Sequence, residues 1–225
     1  MIVLHHLNNS RSQRILWLLE ELGVEYEVKR YQRDAQTMLA PPELRAVHPL
    51  GKSPIVTDGD LTLAESGAII EYLVDRYGEG RFIPPPGTPE RLRYTFWLHY
   101  AEGSAMPPLL MALIFNRIET APMPFFVRPI AKGIVKKVRE GFLTPQLETH
   151  LGYMESEIGK TPWFAGPEFT AADIQMSFPL EAARSRAGIT AEKQPNLHAW
   201  LKRIHARPAY PRALLKGGPY DYAKD

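Results

Sequence analysis

The sequence predicts two architectures in series, an α/β unit of order β-α-β, loop, β-β-α followed by an all-α helical bundle. Three observations predict it. Strand-like apolar runs are confined to the first 65 or so positions, helical periodicity dominates everything later, and a stiff Phe82-Ile83-Pro84-Pro85-Pro86-Gly87 stretch separates the two regimes because it cannot be helical. The expected division is residues 1–80, a connection at 81–88, and residues 89–225.

Ile2-Val3-Leu4 opens the first strand, which gives way to Asn8-Asn9-Ser10, residue types that favour turns and helix N-caps. His5 and His6 fall inside that strand and face opposite sides. Ile15, Leu18, Leu19 and Leu22 recur at i, i+3, i+4 and i+7 with Gly23 as a stop, so a helix follows, with Glu20 and Glu21 on its other face. Tyr26 and Val28 alternate with Glu27 and Lys29 as a second strand, returned parallel to the first by that helix. A long polar connection leads to Ile55-Val56-Thr57 and Leu61-Thr62-Leu63, an antiparallel pair joined at Asp58-Gly59. Ser66 starts a helix that buries Ile70, Leu73, Val74 and Tyr77 and stops at Gly78 and Gly80.

Beyond the prolines, residues 90–118 carry Trp97, Tyr100 and Met106 in helical context, and Pro107-Pro108 should kink or interrupt the run. A second long helical stretch covers 125–159, with Pro129 near its start and a kink at Pro145. Thr170-Ala171-Ala172-Asp173 reads as a capping box that opens a further helix. Leu197, Trp200, Leu201 and Ile204 give a last amphipathic stripe after Pro195. Disorder is expected nowhere except in the C-terminal tail.

Composition removes several functional classes. The 225 residues are 44% hydrophobic and 23% charged, enough for a sizeable core. With 27 basic against 25 acidic residues, the net charge of +2 points to neither nucleic acid nor an anionic membrane as partner. There is no cysteine, so disulfides, cysteine-ligated zinc, iron–sulfur clusters and chemistry on the protein's own thiol are all excluded. The N-terminus lacks the pattern of a signal peptide, and no apolar stretch reaches the length of a membrane span, so a cytoplasmic location is expected. His5-His6 has no further ligand at metal-binding spacing, so no metal is expected.

Three loops carry chemistry. At Asn8-Asn9-Ser10-Arg11-Ser12-Gln13-Arg14 a strand hands over to a helix, whose first turn offers unpaired N–H groups and favours an anion, a thiolate included. A hydroxyl there donates to a bound sulfur and favours ionisation below the free thiol pKa of about 8.5. A plain helix cap by Asn9 or Ser10 fits the same stretch. In His48-Pro49-Leu50-Gly51-Lys52-Ser53-Pro54-Ile55, a cis Ser53–Pro54 bond would turn the Ser53 backbone toward a peptide-like ligand. A trans proline starting an edge strand is the commoner event. Lys52 suits a ligand carboxylate, or plain solvent. Ser66 opens a helix and suits a carboxylate while Glu65 accepts from an ammonium, together fitting an α-amino-acid head group; an ordinary N-cap explains them equally.

The runs Asn9-Ser10-Arg11-Ser12-Gln13-Arg14-Ile15-Leu16-Trp17-Leu18-Leu19-Glu20-Glu21-Leu22, Pro49-Leu50-Gly51-Lys52-Ser53-Pro54, Glu65-Ser66-Gly67-Ala68-Ile69-Ile70-Glu71-Tyr72-Leu73 and Thr170-Ala171-Ala172-Asp173 occur in order along almost the whole chain. With them the sequence resembles the cytosolic glutathione S-transferase superfamily, and most of all its serine-type bacterial and fungal branch. The resemblance implies a thioredoxin-like N-terminal domain that binds glutathione as co-substrate and a helical C-terminal domain that supplies much of the second-substrate pocket. It implies a cis bond at Pro54, Ser10 at the glutathione thiolate with Asn9 and Ser12 as weaker candidates for that role, Lys52 at the glycyl carboxylate, Ser53 at the cysteinyl backbone, and Glu65 with Ser66 at the γ-glutamyl head. Trp97, Tyr100 and Met106 are carried as second-substrate candidates, with core packing as their alternative. Thr170 with Asp173 matches the family's folding-associated capping box, and a homodimer is implied. The exit loop of the first strand holds no tyrosine, unlike the tyrosine-type branches, and the lack of cysteine separates the chain from the cysteine-type ones. The implied partners are glutathione and a small hydrophobic electrophile or a peroxide, with no nucleic acid, membrane or metal. A non-catalytic protein-binding scaffold and a hydrophobic-ligand carrier are the readings from other classes; the full set Ser10, Lys52, Glu65 and Ser66 counts against the scaffold.

Overall fold

The computed structural model describes residues 1–223, and the last two positions of the C-terminal tail lie outside the described residues. A four-stranded sheet of order β2-β1-β3-β4 is built from β1 (Ile2–Leu7), β2 (Tyr26–Tyr31), β3 (Ile55–Asp58) and β4 (Leu61–Ala64). β2 pairs parallel to β1, which α1 (Ser12–Leu22) makes possible by carrying the chain back across the sheet, and β3 and β4 pair antiparallel. Alternation along β1 sends His5 and His6 to opposite faces. The His5 Nδ1 meets the Tyr31 hydroxyl at 2.9 Å, beside a small cluster of Leu7, Leu44 and Ile55, and the His6 Nδ1 meets Ser12 Oγ at 2.9 Å on the face covered by α1.

Two details of this region differ from the sequence reading. The connection after β2 contains a short helix, α2 (Pro42–Val47), anchored by buried Leu44 alone, which is too little periodicity to announce a helix. The hairpin turn is Gly59-Asp60, since Asp58 pairs with Leu61 inside the ladder; Gly59 takes the positive φ of +57° that the turn requires. Asp58 is held in the strand because its carboxylate accepts from the hydroxyls of Tyr72 and Tyr77 on α3 (Ser66–Tyr77).

α1 ends where expected, at Gly23 with φ +72°. Its polar face is not solvated, however: α10 (Ala209–Gly217) packs along it, so Glu20 pairs with Arg212 at 2.8 Å and Lys216 at 2.6 Å, and Glu21 with Arg207 at 2.6 Å. Burial alone would raise the Glu20 carboxyl, but Lys216, Tyr26 and Arg212 overcome it and hold the group down to about 2.

Pro107-Pro108 interrupts the next helix in an unexpected way. α4 (Pro89–Tyr100) runs into one π-helical turn, Ala101–Ala105, and then into α5 (Met106–Thr120), with the prolines in the first turn of α5. Proline cannot donate to the carbonyl four residues back, so the register loosens just upstream. The same device recurs at Pro145, where a π turn, Arg139–Leu143, joins α6 (Arg128–Val138) to α7 (Thr144–Ile158). α8 (Ala171–Ala187) is buried continuously from Ala171 to Ala183 at the centre of the helical half, packed on α1, α4 and α5. α9 (Pro195–His205) buries the predicted Leu197, Trp200, Leu201 and Ile204.

The capping box is present at the start of α8, and its carboxylate does more than cap. Asp173 accepts from the N–H groups of Thr170 and Phe164, both at 3.0 Å, and from Trp200 Nε1 at 3.2 Å, so it ties α8 to α9 and to the segment before it. The described part of the tail is ordered rather than disordered. Tyr220 is buried with its hydroxyl 2.6 Å from Glu181, and Asp221–Ala223 forms a short 3₁₀ turn. Among the described residues no helix is long and apolar enough to cross a membrane.

Candidate active site

A cleft of about 720 Å³ opens between the sheet edge and the helical half, and Ser10, Asn9, Lys52, Ser53, Pro54, Glu65, Ser66 and Met106 all line it. Sheet order fixes how they are spread. Ser53-Pro54 and Glu65-Ser66 sit together because Ile55 pairs with Ala64, Ser10 follows the central strand, and Arg33 follows β2 on the far side.

Ser10 is only 4% exposed, yet its hydroxyl reaches the cleft wall, while Ser12 is fully buried behind it. The two hydroxyls lie 2.8 Å apart, and Ser10 Oγ accepts the Ser12 N–H at 3.2 Å, taking a helix-start donor that a cap would otherwise take. Burial is the main cause that pushes His6 down to about 4, with Arg30 adding to it and a hydrogen bond to the Gly217 backbone opposing it. The ring is therefore neutral at neutral pH. With its one ring proton given to Gly217, Nδ1 is left to accept from Ser12 Oγ. Ser12 spends its proton on His6 and one lone pair on the Leu7 N–H at 3.2 Å. The 2.8 Å contact is then Ser10 donating to Ser12, a proton that a sulfur in the cleft would draw away, with Ser53 Oγ at 3.4 Å as its other acceptor.

Asn9 has a different task. Held at φ +47°, it donates from Nδ2 to Asp221 at 2.7 Å and accepts the Asp221 N–H at 2.9 Å, so its amide fastens the tail to the cleft. The Ser53–Pro54 bond is cis, and Ser53 Oγ donates to the His5 carbonyl at 3.1 Å. Lys52 is exposed at the rim. Glu65 adopts φ +72°, a conformation that costs a non-glycine residue on the order of 1–3 kcal/mol. It sits there beside the N-terminus of α3, where the buried Ser66 begins the helix.

Of the three second-substrate candidates, only Met106 is placed on the cleft. Trp97 and Tyr100 face away from it into an aromatic cluster: Trp97 packs on Phe164 at 4.5 Å between centroids, and the Tyr100 hydroxyl meets His150 Nδ1 at 2.6 Å. Both side chains are buried there.

Sequence reasoning missed an ion cluster at the same mouth. Glu102, on the π turn after α4, takes Arg11 at 2.8 Å and the fully buried Arg14 at 2.5 Å. Burial would raise Glu102, but the two guanidiniums, Arg14 first, hold it below the ordinary carboxylate range. Arg14 also donates to the Gln175 carbonyl at 2.7 Å, so one cluster binds α1, the π turn and α8 around the cleft. The partners are 88 residues apart, and no local pattern marks such a pair. Among the described residues no group of three or more histidine, aspartate or glutamate side chains is placed to hold a metal ion.

Residues 1–75 match the family described as glutathione S-transferase, N-terminal domain, and residues 120–208 its C-terminal domain. The chain is 40% identical over 210 residues to glutathione S-transferase 3 of Schizosaccharomyces pombe, covering 93% of this chain and 85% of that one. It is similar to the crystal structure of a glutathione S-transferase from Actinobacillus pleuropneumoniae, with a TM-score of 0.83 and 36% identity over 100% of this chain and 97% of the other. A glutathione transferase from Phanerochaete chrysosporium, solved in complex with oxidised glutathione, gives a TM-score of 0.73 at 25% identity, covering 96% of each chain.

Proposed function

The chain belongs to the glutathione S-transferase family, and from that premise we propose that its cleft binds glutathione with the sulfur at Ser10 and delivers the thiolate to a small electrophile. The observation that carries this is the Ser10 hydroxyl on the cleft wall at a helix start, its proton the first donor of a Ser10–Ser12–His6 chain and able to turn from Ser12 to a sulfur. Glutathione is the co-substrate. In this reading Glu65 accepts from the γ-glutamyl ammonium, Ser66 offers its hydroxyl and N–H to the γ-glutamyl carboxylate, the Ser53 backbone pairs with the cysteinyl residue, and Lys52 neutralises the glycyl carboxylate.

The chemistry then needs little more from the protein. Ser10 and the α1 N-terminus favour the thiolate over the thiol, whose proton goes to solvent. A sulfur lone pair forms the C–S bond, and the leaving group departs with its bonding pair. Ser12 and Asn9 act at one remove, Ser12 by orienting Ser10 and Asn9 by holding the tail.

The expected result in a titration of ultraviolet thiolate absorbance is that bound glutathione ionises at least one pH unit below the free thiol value of about 8.5. Binding without ionisation would favour the carrier reading, and no binding would favour the scaffold. The division at residues 81–88 and a cytoplasmic location, where the glutathione pool is kept reduced, belong to the same proposal. So does a homodimer, supported by the family's pattern; a solution mass near the 25.5 kDa of one chain would contradict it.

A further inference from the structure

The half of the cleft beyond Ser10 is not simply apolar. Met106, Leu110 and Leu113 of α5 and Phe178 of α8 give it a greasy floor, but its far wall is made of guanidiniums from three separate elements. Arg33 comes from the segment after β2, Arg117 from the last turn of α5, and Arg186 from the end of α8. Arg33 lies within electrostatic reach of Arg117 and of Tyr222, to which Arg186 is hydrogen-bonded. Arg186 donates to the Tyr222 hydroxyl at 2.8 Å, Tyr222 acts electrostatically on Arg33, and Arg117 and Arg11, after burial as the main cause, push the Arg33 guanidinium below its ordinary value.

Neighbouring like charges of this kind disfavour one another unless an anion sits among them. The protein does not supply enough of one. Among the described residues neither Arg33 nor Arg117 makes an ion pair; the Arg33 guanidinium donates only to the Asn8 and Met38 carbonyls, at 3.3 and 3.1 Å. The Arg186 Nε is buried with no acceptor among the described residues. Three carboxylates share the cleft. Glu102 is engaged by Arg11 and Arg14, Asp221 takes the Asn9 amide, and Glu65 sits across the sheet beside Pro54.

We propose that the second substrate of this transferase is an apolar electrophile that carries a carboxylate or similar anion, which lies against Arg33, Arg117 and Arg186 while its reactive carbon faces the sulfur at Ser10. The inference rests on the glutathione-transferase reading of the same cleft and narrows its substrate class. A guanidinium meets a carboxylate through paired N–H donors, so the anion fixes orientation as well as adding affinity.

Two probes of one shape test it: 4-chloro-3-nitrobenzoate and its neutral methyl ester. In each, the thiolate forms a C–S bond at the carbon bearing chlorine, chloride leaves with the bonding pair, and the thiol proton passes to buffer. With kcat/KM divided by the uncatalysed rate constant of each probe, the acid is expected to be favoured by about tenfold, the scale of one charge-assisted hydrogen bond. The preference should shrink in 0.5 M salt and fall severalfold in Arg117→Gln and in Arg33→Gln. The two product conjugates, S-(4-carboxy-2-nitrophenyl)glutathione and its methyl ester, measured by titration calorimetry, give the same comparison without turnover. An acid-to-ester ratio at or below one, in rate or in binding, overturns the proposal, as does a preference that survives both substitutions. Glutathione alone, titrated in parallel, separates the failures: normal binding and ionisation with no acid preference removes only this inference, whereas no binding of glutathione removes the reading beneath it.

Discussion

Ser10→Ala is expected to lower kcat/KM at pH 6.5 by roughly 10- to 100-fold, the worth of one hydrogen bond to a charged group, while glutathione affinity changes much less. The reason is local. In the wild type a single donated hydrogen bond favours the thiolate over the thiol, so its loss moves the ionisation of bound glutathione up by one to two pH units, each unit being about 1.4 kcal/mol. The deficit should therefore narrow toward pH 9, where the thiol ionises without help. Ser12→Ala should show the same pattern in weaker form, because Ser12 touches only Ser10, His6 and the Leu7 backbone. Superimposable pH–rate profiles for wild type and Ser10→Ala would take Ser10 out of the chemistry.

Asp173→Ala is expected to cost about 3–5 kcal/mol of stability, since it strands several buried donors at about 1–3 kcal/mol each. Those donors are the N–H groups of Phe164 and Thr170, the Thr170 hydroxyl at 3.2 Å and Trp200 Nε1. The readout is the urea midpoint at unchanged m-value. The pH dependence has a definite sign. Burial raises Asp173 from 3.8 to about 6 despite the hydrogen bonds it accepts, so the folded state holds this proton more tightly than the unfolded chain. Its contribution is fully present below about 4 and declines as pH rises through 6. The gap between wild type and variant should be wider at pH 4.5 than at pH 7.5, and a gap that widens toward high pH would contradict this account.

What could be read from sequence was what is local. α3 and α9 each bury a stripe with one period, β1 and α1 are marked by their apolar residues although both are buried beyond one face, and the Thr170 box needs only four residues, so all were legible. The extent of α8 was not, because a helix buried on every side from Ala171 to Ala183 has no stripe to see. Nor was the fate of Glu20 and Glu21, whose partners on α10 and before it lie about 190 positions away. The catalytic loop shows the same limit. Sequence leaves Asn9, Ser10 and Ser12 as alternatives; what separates them is the turn itself, which aims Asn9 at Asp221 and sinks Ser12 beneath Ser10. The guanidinium wall was invisible for a simpler reason, being assembled from the segment after β2, α5 and α8.

The π turn at Ala101–Ala105 acts as a phase adjuster between two faces of one long helical rod. Upstream, Tyr94, Trp97 and Leu98 are aligned to the core; downstream, Met106, Leu110, Leu113 and Arg117 are aligned to the cleft. Each residue of an α-helix turns the chain by about 100°, so deleting a single residue from the α-helical stretch on either side, where no wider turn absorbs the change, would rotate one face against the other by that angle. Either the aromatic anchor or the cleft wall would then face the wrong way. The spacing across that turn is thus an alignment constraint on the whole molecule, one that tolerates a change of side chain far better than a change of length.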